Sequence, residues 1–222
     1  EKPRRPFVRD AAAIRRRKAG ALCAMKGHEG AVVSLAVNHR IVISGGADTM
    51  IFAWHPESGR LLRRMRGHEF AVTCLSIDDS LFCSGSADRV VRLWGITDIS
   101  PTNPAKTVEQ IRRYSGHQAP ITAVELVGKE VVSGASNGEV IIWNFETSEP
   151  LRRHQIHEVG RSVLAIQFDA VKLVTAGSDH KLVFSDFLSG EPFQTSYRSH
   201  GDSHILAMCF DTENLVTAGA DR

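Results

Sequence analysis

Long apolar runs are missing from this chain, and so are the usual marks of secretion. No stretch of the 222 residues is apolar enough for long enough to span a bilayer, and no membrane partner is expected. No Asn-x-Ser/Thr acceptor occurs. Cysteine is scarce: Cys23, Cys74, Cys83 and Cys209 lie far apart and form no Cys-x-x-Cys pair, which argues against a zinc site or a disulfide framework. Cys74, Cys83 and Cys209 sit inside strand-like apolar runs and read as buried free thiols. The expected location is therefore the cytoplasm or another reducing intracellular compartment, cytoskeletal, ciliary and nuclear settings included. A Gly-rich phosphate loop of the P-loop or dinucleotide type is also absent. Helical periodicity is lacking from the repeated body of the chain.

What is there is a soluble globular composition, 42% hydrophobic and 23% charged, in a chain long enough to bury a sizeable core. The formal net charge of +2 hides an asymmetry. Residues 1–20 carry eight Lys or Arg against two acids, while the remainder carries 19 basic and 23 acidic residues. A basic leader is attached to a mildly acidic body. The chain begins at Glu1 without a Met and stops at Arg222 part-way through a repeated phrase, so it is expected to be part of a longer polypeptide.

The phrase is the strongest signal. Gly27-His28, Gly67-His68 and Gly116-His117 each open a segment that closes 26 residues after the His, on Trp54, Trp94 or Trp143. Between them stand Ser44 and Asp48, Ser84 and Asp88, Ser133 and Asn137. A fourth copy is weaker: His157 follows Ile156 instead of Gly, Thr175 and Asp179 hold the Ser and Asp places, and Ser185 replaces Trp. A fifth starts near His200 and reaches Thr217 and Asp221. Self-similarity at about 40 residues marks one supersecondary unit copied, and such units stack to bury a core.

Each unit reads as four short strands separated by turns. In the first, the apolar runs are Ala31–Val37, Ile41–Ile43, Met50–Trp54 and Arg60–Arg66, with Ala47-Asp48-Thr49 and Pro56-Glu57-Ser58-Gly59 as turns. The second copies it with Val72–Ile77, Leu81–Cys83 and Val90–Trp94, followed by a longer connection from Gly95 to Thr107 that reads as a solvated surface loop. Ala21–Lys26 aligns with Leu61–Arg66 as an orphan fourth strand, which a ring of blades would pair with its last blade to remove sheet edges. Asp10 as N-cap, Ala11-Ala12-Ala13-Ile14 and Gly20 predict a short helix over residues 10–19.

These residues resemble the WD-repeat β-propeller family over about residues 20–222, although no Trp-Asp dipeptide occurs: Trp54-His55, Trp94-Gly95 and Trp143-Asn144 stand in its place. The resemblance implies an all-β fold of four complete four-stranded blades (residues 27–66, 67–115, 116–154 and 155–198) and a partial fifth (199–222). An orphan closing strand (20–26) and a basic arm or short helix (1–19) precede them, and about seven blades are expected in the full protein. It also implies that His28, Ser44, Asp48 and Trp54, with His68, Ser84, Asp88 and Trp94, are not a repeated hydrolase triad. A triad is needed once, beside an oxyanion hole. Here the set is expected to be a buried hydrogen-bonded chain that gives the Trp Nε1–H its acceptor. His117, Ser133, Asn137 and Trp143 are the third set, and Thr175, Asp179, Thr217 and Asp221 continue it. Phe184 is placed to fill part of the space that Trp leaves in the fourth blade. No enzyme activity, metal or cofactor is expected; His154, His157, His180, His200 and His204 lack a helix or carboxylate cluster to align them as ligands, and Asp78-Asp79 reads as a solvated turn.

Propellers of this family bind peptides or proteins at the narrow end of the channel. The positions that carry this over are Ala31, Val33 and Ala47; Ala71, Thr73 and Ala87; Pro120, Thr122 and Ser136; Ser162, Leu164 and Ser178; and His204, Leu206 and Ala220. The set is small and uncharged apart from His204. It lacks the arginine cluster a phosphopeptide needs and suits a small apolar segment. Arg89 and Arg222 are the only basic residues beside it. The leader, with Arg4, Arg5, Arg9, Arg15, Arg16, Arg17 and Lys18, offers a second surface, either a solvated linker or a dock for an acidic protein surface such as tubulin. Nucleic-acid binding there is a weaker expectation, since Phe7 is its only aromatic. The function expected is a non-catalytic protein-interaction scaffold within a larger protein or complex, in a cytoskeletal or ciliary setting. The alternatives are the substrate receptor of a ubiquitin ligase of the F-box type and a ribonucleoprotein component.

Overall fold

The computed structural model describes residues 24–96, 99, 108, 110–197, 200, 201, 203–210 and 214–221, without the Tyr197 side chain. The expected helix over residues 10–19 and the basic arm lie outside them. Of the orphan strand, only Ala24–Lys26 is described, and it carries no strand pairing.

β-Branched and aliphatic residues cut by polar turns leave each unit one stable option, an antiparallel meander. The first sheet runs β1 (Val32–Val37), β2 (Val42–Gly46), β3 (Ile51–Trp54) and β4 (Leu61–Met65), in that spatial order. The second copies it with β5 (Val72–Ile77), β6 (Leu81–Ser86), β7 (Val90–Gly95) and β8 (Gln110–Ser115). The third has β9 (Ile121–Val127), β10 (Glu130–Ala135), β11 (Glu139–Trp143) and β12 (Pro150–Gln155). The fourth has β13 (Val163–Phe168), β14 (Lys172–Gly177), β15 (Lys181–Asp186) and β16 (Pro192–Tyr197). A two-stranded sheet of β17 (Ile205–Phe210) and β18 (Leu215–Gly219) comes last. The second strands run further than the β-branched triplets suggest, through Ser44-Gly45-Gly46 and Ser84-Gly85-Ser86.

Side chains make the turns. The Asn38 side-chain oxygen accepts the N–H groups of Arg40 (2.8 Å) and Ile41 (3.0 Å), and Asp169 does the same for Val171 and Lys172 in the fourth sheet. After the third strand, Asn144 accepts from Glu146 and Thr147, and Asp186 from Leu188 and Ser189. These Asx turns fix hairpin geometry without a glycine at each site.

The core lies in the seams between sheets. First strands of successive sheets pack on one another, β1 on β5, β5 on β9, β9 on β13 and β13 on β17. Strand alternation sends one face of each sheet forward and one back. Ile43, Ile51, Met65 and Ala53 thus meet Val72, Phe82 and Trp94 in the first seam. Cys83, Leu93 and Tyr114 meet Ile121, Val131 and Trp143 in the second. Alternation also corrects the expectation for Phe184: Ser185 faces the third seam, so its neighbour Phe184 faces the fourth, with Val174, Leu182 and Ile205. Phe187, stacked on Phe168 at 5.0 Å, fills the third seam instead.

Two other expectations need correction. The described residues of the long second-blade connection are not solvated. Ile96 and Ile99 are buried in the first seam, as is Val108 just beyond the connection, and Ile96 N–H bonds to Ser80 O at 2.9 Å. Cys209 is exposed, because among the described residues no sheet covers the outer face of β17. Both ends of the stack show this openness, with Leu35 67% exposed on β1 and Val216 66% on β18.

Candidate functional site

The repeated residues meet as one hydrogen-bonded chain per sheet. In the second sheet the Trp94 Nε1–H donates to Ser84 Oγ at 2.9 Å, Ser84 Oγ lies 2.8 Å from His68 Nε2, and His68 Nδ1 lies 2.7 Å from Asp88 Oδ2. One assignment of protons satisfies the whole line: the serine donates to Nε2, and Nδ1–H donates to the carboxylate. The first sheet repeats it, with Trp54 to Ser44 at 2.8 Å, Ser44 to His28 at 2.8 Å and His28 Nδ1 to Asp48 Oδ2 at 2.9 Å. The aspartates also stitch backbone: Asp48 accepts from the N–H groups of Glu29 (2.9 Å) and Met50 (3.2 Å), joining the His-bearing connection to the turn before the third strand.

The third sheet departs from expectation. His117 Nε2 lies 2.8 Å from Ser133 Oγ and Trp143 donates to the same oxygen at 2.7 Å, but Nδ1 finds Glu139 Oε2 at 3.0 Å, not Asn137. A carboxylate fits Nδ1–H better than a neutral amide, and Glu139, two residues further along, is long enough to reach. Asn137 keeps the turn by accepting the Glu139 N–H at 3.2 Å. Gly138 between them has φ +88°, and a Cβ there would lie 2.7 Å from His157 O. Thr49, Arg89 and His180 hold the same left-handed place with φ of 68°, 68° and 62°, so the turn itself tolerates a side chain. Glu139 was legible only as an acid beside a missing Asp.

In the fourth sheet Ser185 replaces the indole and the rest of the chain is kept. His157 Nε2 lies 3.0 Å from Thr175 Oγ1 and Nδ1 lies 2.9 Å from Asp179. His200 pairs likewise with Thr217 at 2.8 Å and Asp221 at 2.9 Å. Burial raises the carboxyl of Asp179, but the His157 hydrogen bond and charge and two backbone N–H groups outweigh it and hold it at about 2. The same balance lowers Asp88 and Asp48. Burial pushes His117 down, only partly offset by Glu139. The hydroxyls of Ser44, Ser84, Ser133 and Thr175 are buried against a ring nitrogen, and that of Thr217 is partly buried against His200.

The positions carried over as a binding face also recur in space. The N–H of the residue before the turn acid bonds to the carbonyl opposite it, Ala47 to Ala31 (2.8 Å), Ala87 to Ala71 (3.0 Å), Ser136 to Pro120 (2.9 Å), Ser178 to Ser162 (2.8 Å) and Ala220 to His204 (3.0 Å). None of the fifteen side chains is fully buried. Ala31, Val33, Ala47, Pro120, His204, Leu206 and Ala220 are exposed; Ala71, Thr73, Ala87, Thr122, Ser136, Ser162, Leu164 and Ser178 are partly so. Thr73 and Thr122 differ from the rest. Their hydroxyls donate across the seams to Ile121 O (2.6 Å) and Val163 O (2.5 Å), so they tie neighbouring sheets together. His180 stacks on His204 at 4.7 Å across the last seam. Arg4, Arg5, Arg9, Arg15, Arg16, Arg17 and Lys18 lie outside the described residues, as does Arg222.

Four-stranded antiparallel sheets packed through their first strands, each locked by the same His-centred chain, define the blades of a β-propeller. The model of the WD domain, G-beta repeat, matches residues 21–55, 59–95 and 108–144, and the chain belongs to this WD-repeat family. Among solved structures, the computationally designed Ika4 protein is 32% identical, with 76% of this chain and 99% of that one covered at a TM-score of 0.66. The computationally designed Ika8 protein is 31% identical at a TM-score of 0.71, with 90% of this chain covered; the match spans 58% of that chain. No curated protein matches. WD repeats generally mediate protein–protein interaction, and their fold is typically non-catalytic.

Proposed function

We propose that the protein is a non-catalytic assembly platform that holds a small apolar segment of a partner on the blade face lined by Val33, Ala47, Ala87, Leu164 and Leu206. The observation that carries this is the repetition of one uncharged surface in successive blades, each copy held by the same backbone hydrogen bond. A shared surface of small side chains suits an interaction that uses several blades at once, and its lack of arginine does not suit a phosphorylated segment. The setting proposed is a reducing intracellular compartment, in which Cys74, Cys83 and Cys209 stay free thiols. A cytoskeletal or ciliary role rests on the basic leader, whose arginines offer an acidic protein surface a counter-charge.

Affinity purification of the full-length protein from native extract, with and without residues 1–18, tests the reading by mass spectrometry. Tubulin or axonemal proteins that disappear with the leader are the expected result. Recovery of cullin-ligase subunits would transfer the protein to the degradation machinery and retire the scaffold.

A further inference from the structure

The outer strands of the first three blades share a feature that the face does not use. Each carries an Arg-Arg pair at one register: Arg63-Arg64 in β4, Arg112-Arg113 in β8 and Arg152-Arg153 in β12. Alternation splits each pair. The first arginine turns to the blade's own packing or the next seam, as when Arg63 bonds to Leu62 O at 2.7 Å and Arg112 reaches Glu146 of the third blade at 3.8 Å. The second takes a common place on the other face, across from the residue two before the Trp.

Two of the three second arginines are satisfied there. Arg64 lies opposite Phe52 and sits over its ring, 5.5 Å from the centroid. Arg153 lies opposite Ile141 and bonds to Glu139 and to Gly116 O, at 3.0 and 3.1 Å. Arg113 is different. It lies directly opposite Arg92 and has no hydrogen bond or ion pair among the described residues. Like charges facing each other on a sheet destabilise it. Arg92 donates one Nη1–H to Gln110 Oε1, and its Nε is buried without a partner. The nearby acids, Asp88 and Glu69, form no ion pair with either guanidinium, and Asp88 is held by His68.

Beside this pair lies an open edge. Among the described residues β8 pairs with β7 alone, so every other N–H and C=O of Gln110–Ser115 faces outward. Gln110, opposite Trp94, shares the Arg113 face, and Ile111, 44% exposed, is the extra residue of the bulge between Gln110 and Arg112. A strand laid along β8 meets the Arg113 cation and the Gln110 amide on this face.

We propose that the outer edge of the second blade receives an extended acidic segment of a partner protein, added as a fifth strand, with a carboxylate held between Arg113 and Arg92. Backbone hydrogen bonds supply the pairing, and the carboxylate relieves the like-charge pair while selecting register. The edge favours polypeptide over nucleic acid, because it offers backbone pairing and no exposed aromatic beside the arginines for a base to stack on. This surface is separate from the blade face, and either can fail without the other.

The test uses the whole chain and a fluorescein-labelled peptide of alternating Val and Glu. Binding is followed by anisotropy, and hydrogen exchange reads the amides of Gln110–Ser115. The expected result is protection of those amides and a loss of affinity of about tenfold or more in Arg113→Glu, with a melting temperature no lower than the parent's, because Arg113 is exposed and its like-charge pairing with Arg92 is removed. A peptide of equal charge with Pro at the Val positions is expected not to bind, since it cannot pair. The proposal is overturned if Arg113→Glu binds as well as the parent or if protection misses β8. It is equally overturned if the Pro peptide binds equally, or if oligouridylate gives the same Arg113-dependent protection, which would make the edge a site for phosphate polyanions.

Discussion

The second and fourth blades contain the same histidine chain built to different depths. In the second, Trp94 stacks on Phe82 at 6.0 Å, donates to Ser84 and closes the first seam. In the fourth, Ser185 stands in the Trp place, fully buried, with an Oγ that has no partner among the described residues. Yet His157 keeps its hydroxyl and its carboxylate at 3.0 and 2.9 Å. The indole is therefore not what holds the histidine. His, hydroxyl and acid clamp the connection to the turn, and Trp adds buried area and one more donor. The two jobs are separable, and the substitutions below pull them apart.

The largest effect is expected at the indole. Trp94→Ala leaves a cavity among Phe82, Ile43 and Met65 and should cost about 3–5 kcal/mol, measured by denaturant unfolding, with the exchange protection of the His68 connection retained. If that connection loses protection before the rest of the blade, the indole does hold the clamp and the comparison is broken.

Next comes the acid. Asp88→Ala removes the partner of His68 Nδ1 and an acceptor for the Glu69 and Val90 N–H groups; the expected cost is on the order of 1–3 kcal/mol. Asn137→Ala at the equivalent place should cost about 1 kcal/mol or less, since it removes one turn bond while Glu139 still holds His117. Equal losses would mean that Glu139 does not replace the aspartate. The acid chain also has a pH signature. With Asp179 held at about 2, its stabilisation is complete above the ordinary aspartate range near 4 and is lost as pH falls through about 2.

How much of this was legible beforehand depends on the reach of each rule. The 26-residue interval from His to Trp marks the repeat, and the chains of the first two blades follow from the family resemblance that the interval carries. Glu139 did not, because a spacing rule looks at one place while a longer side chain can enter from the strand beside it. Ile96 and Ile99 read as loop because their segment holds Pro101 and Pro104, and only the packing of one blade on another shows where they bury. The direction of Phe184 turned on parity within a strand, which a missing Trp obscures. The Arg-Arg pairs stand at one offset before His68, His117 and His157 and are legible in the repeat, but the facing of Arg113 on Arg92 is seen only in the strand pairing.

The smallest expected effect is the sharpest test of the separation. Ser185 is buried with an unpartnered hydroxyl, and desolvating such a group has a cost that no bond returns. Its neighbours in the third seam, Phe187 and Phe168, are apolar and already stacked. Ser185→Ala removes one oxygen and leaves their packing in place, so the protein should gain about 0–1 kcal/mol, read as a small rise in denaturant midpoint at constant slope. A clear loss would show that Ser185 supports the His157 clamp through a bond made in solution. The fourth blade would then have replaced the function of the indole and not dispensed with it.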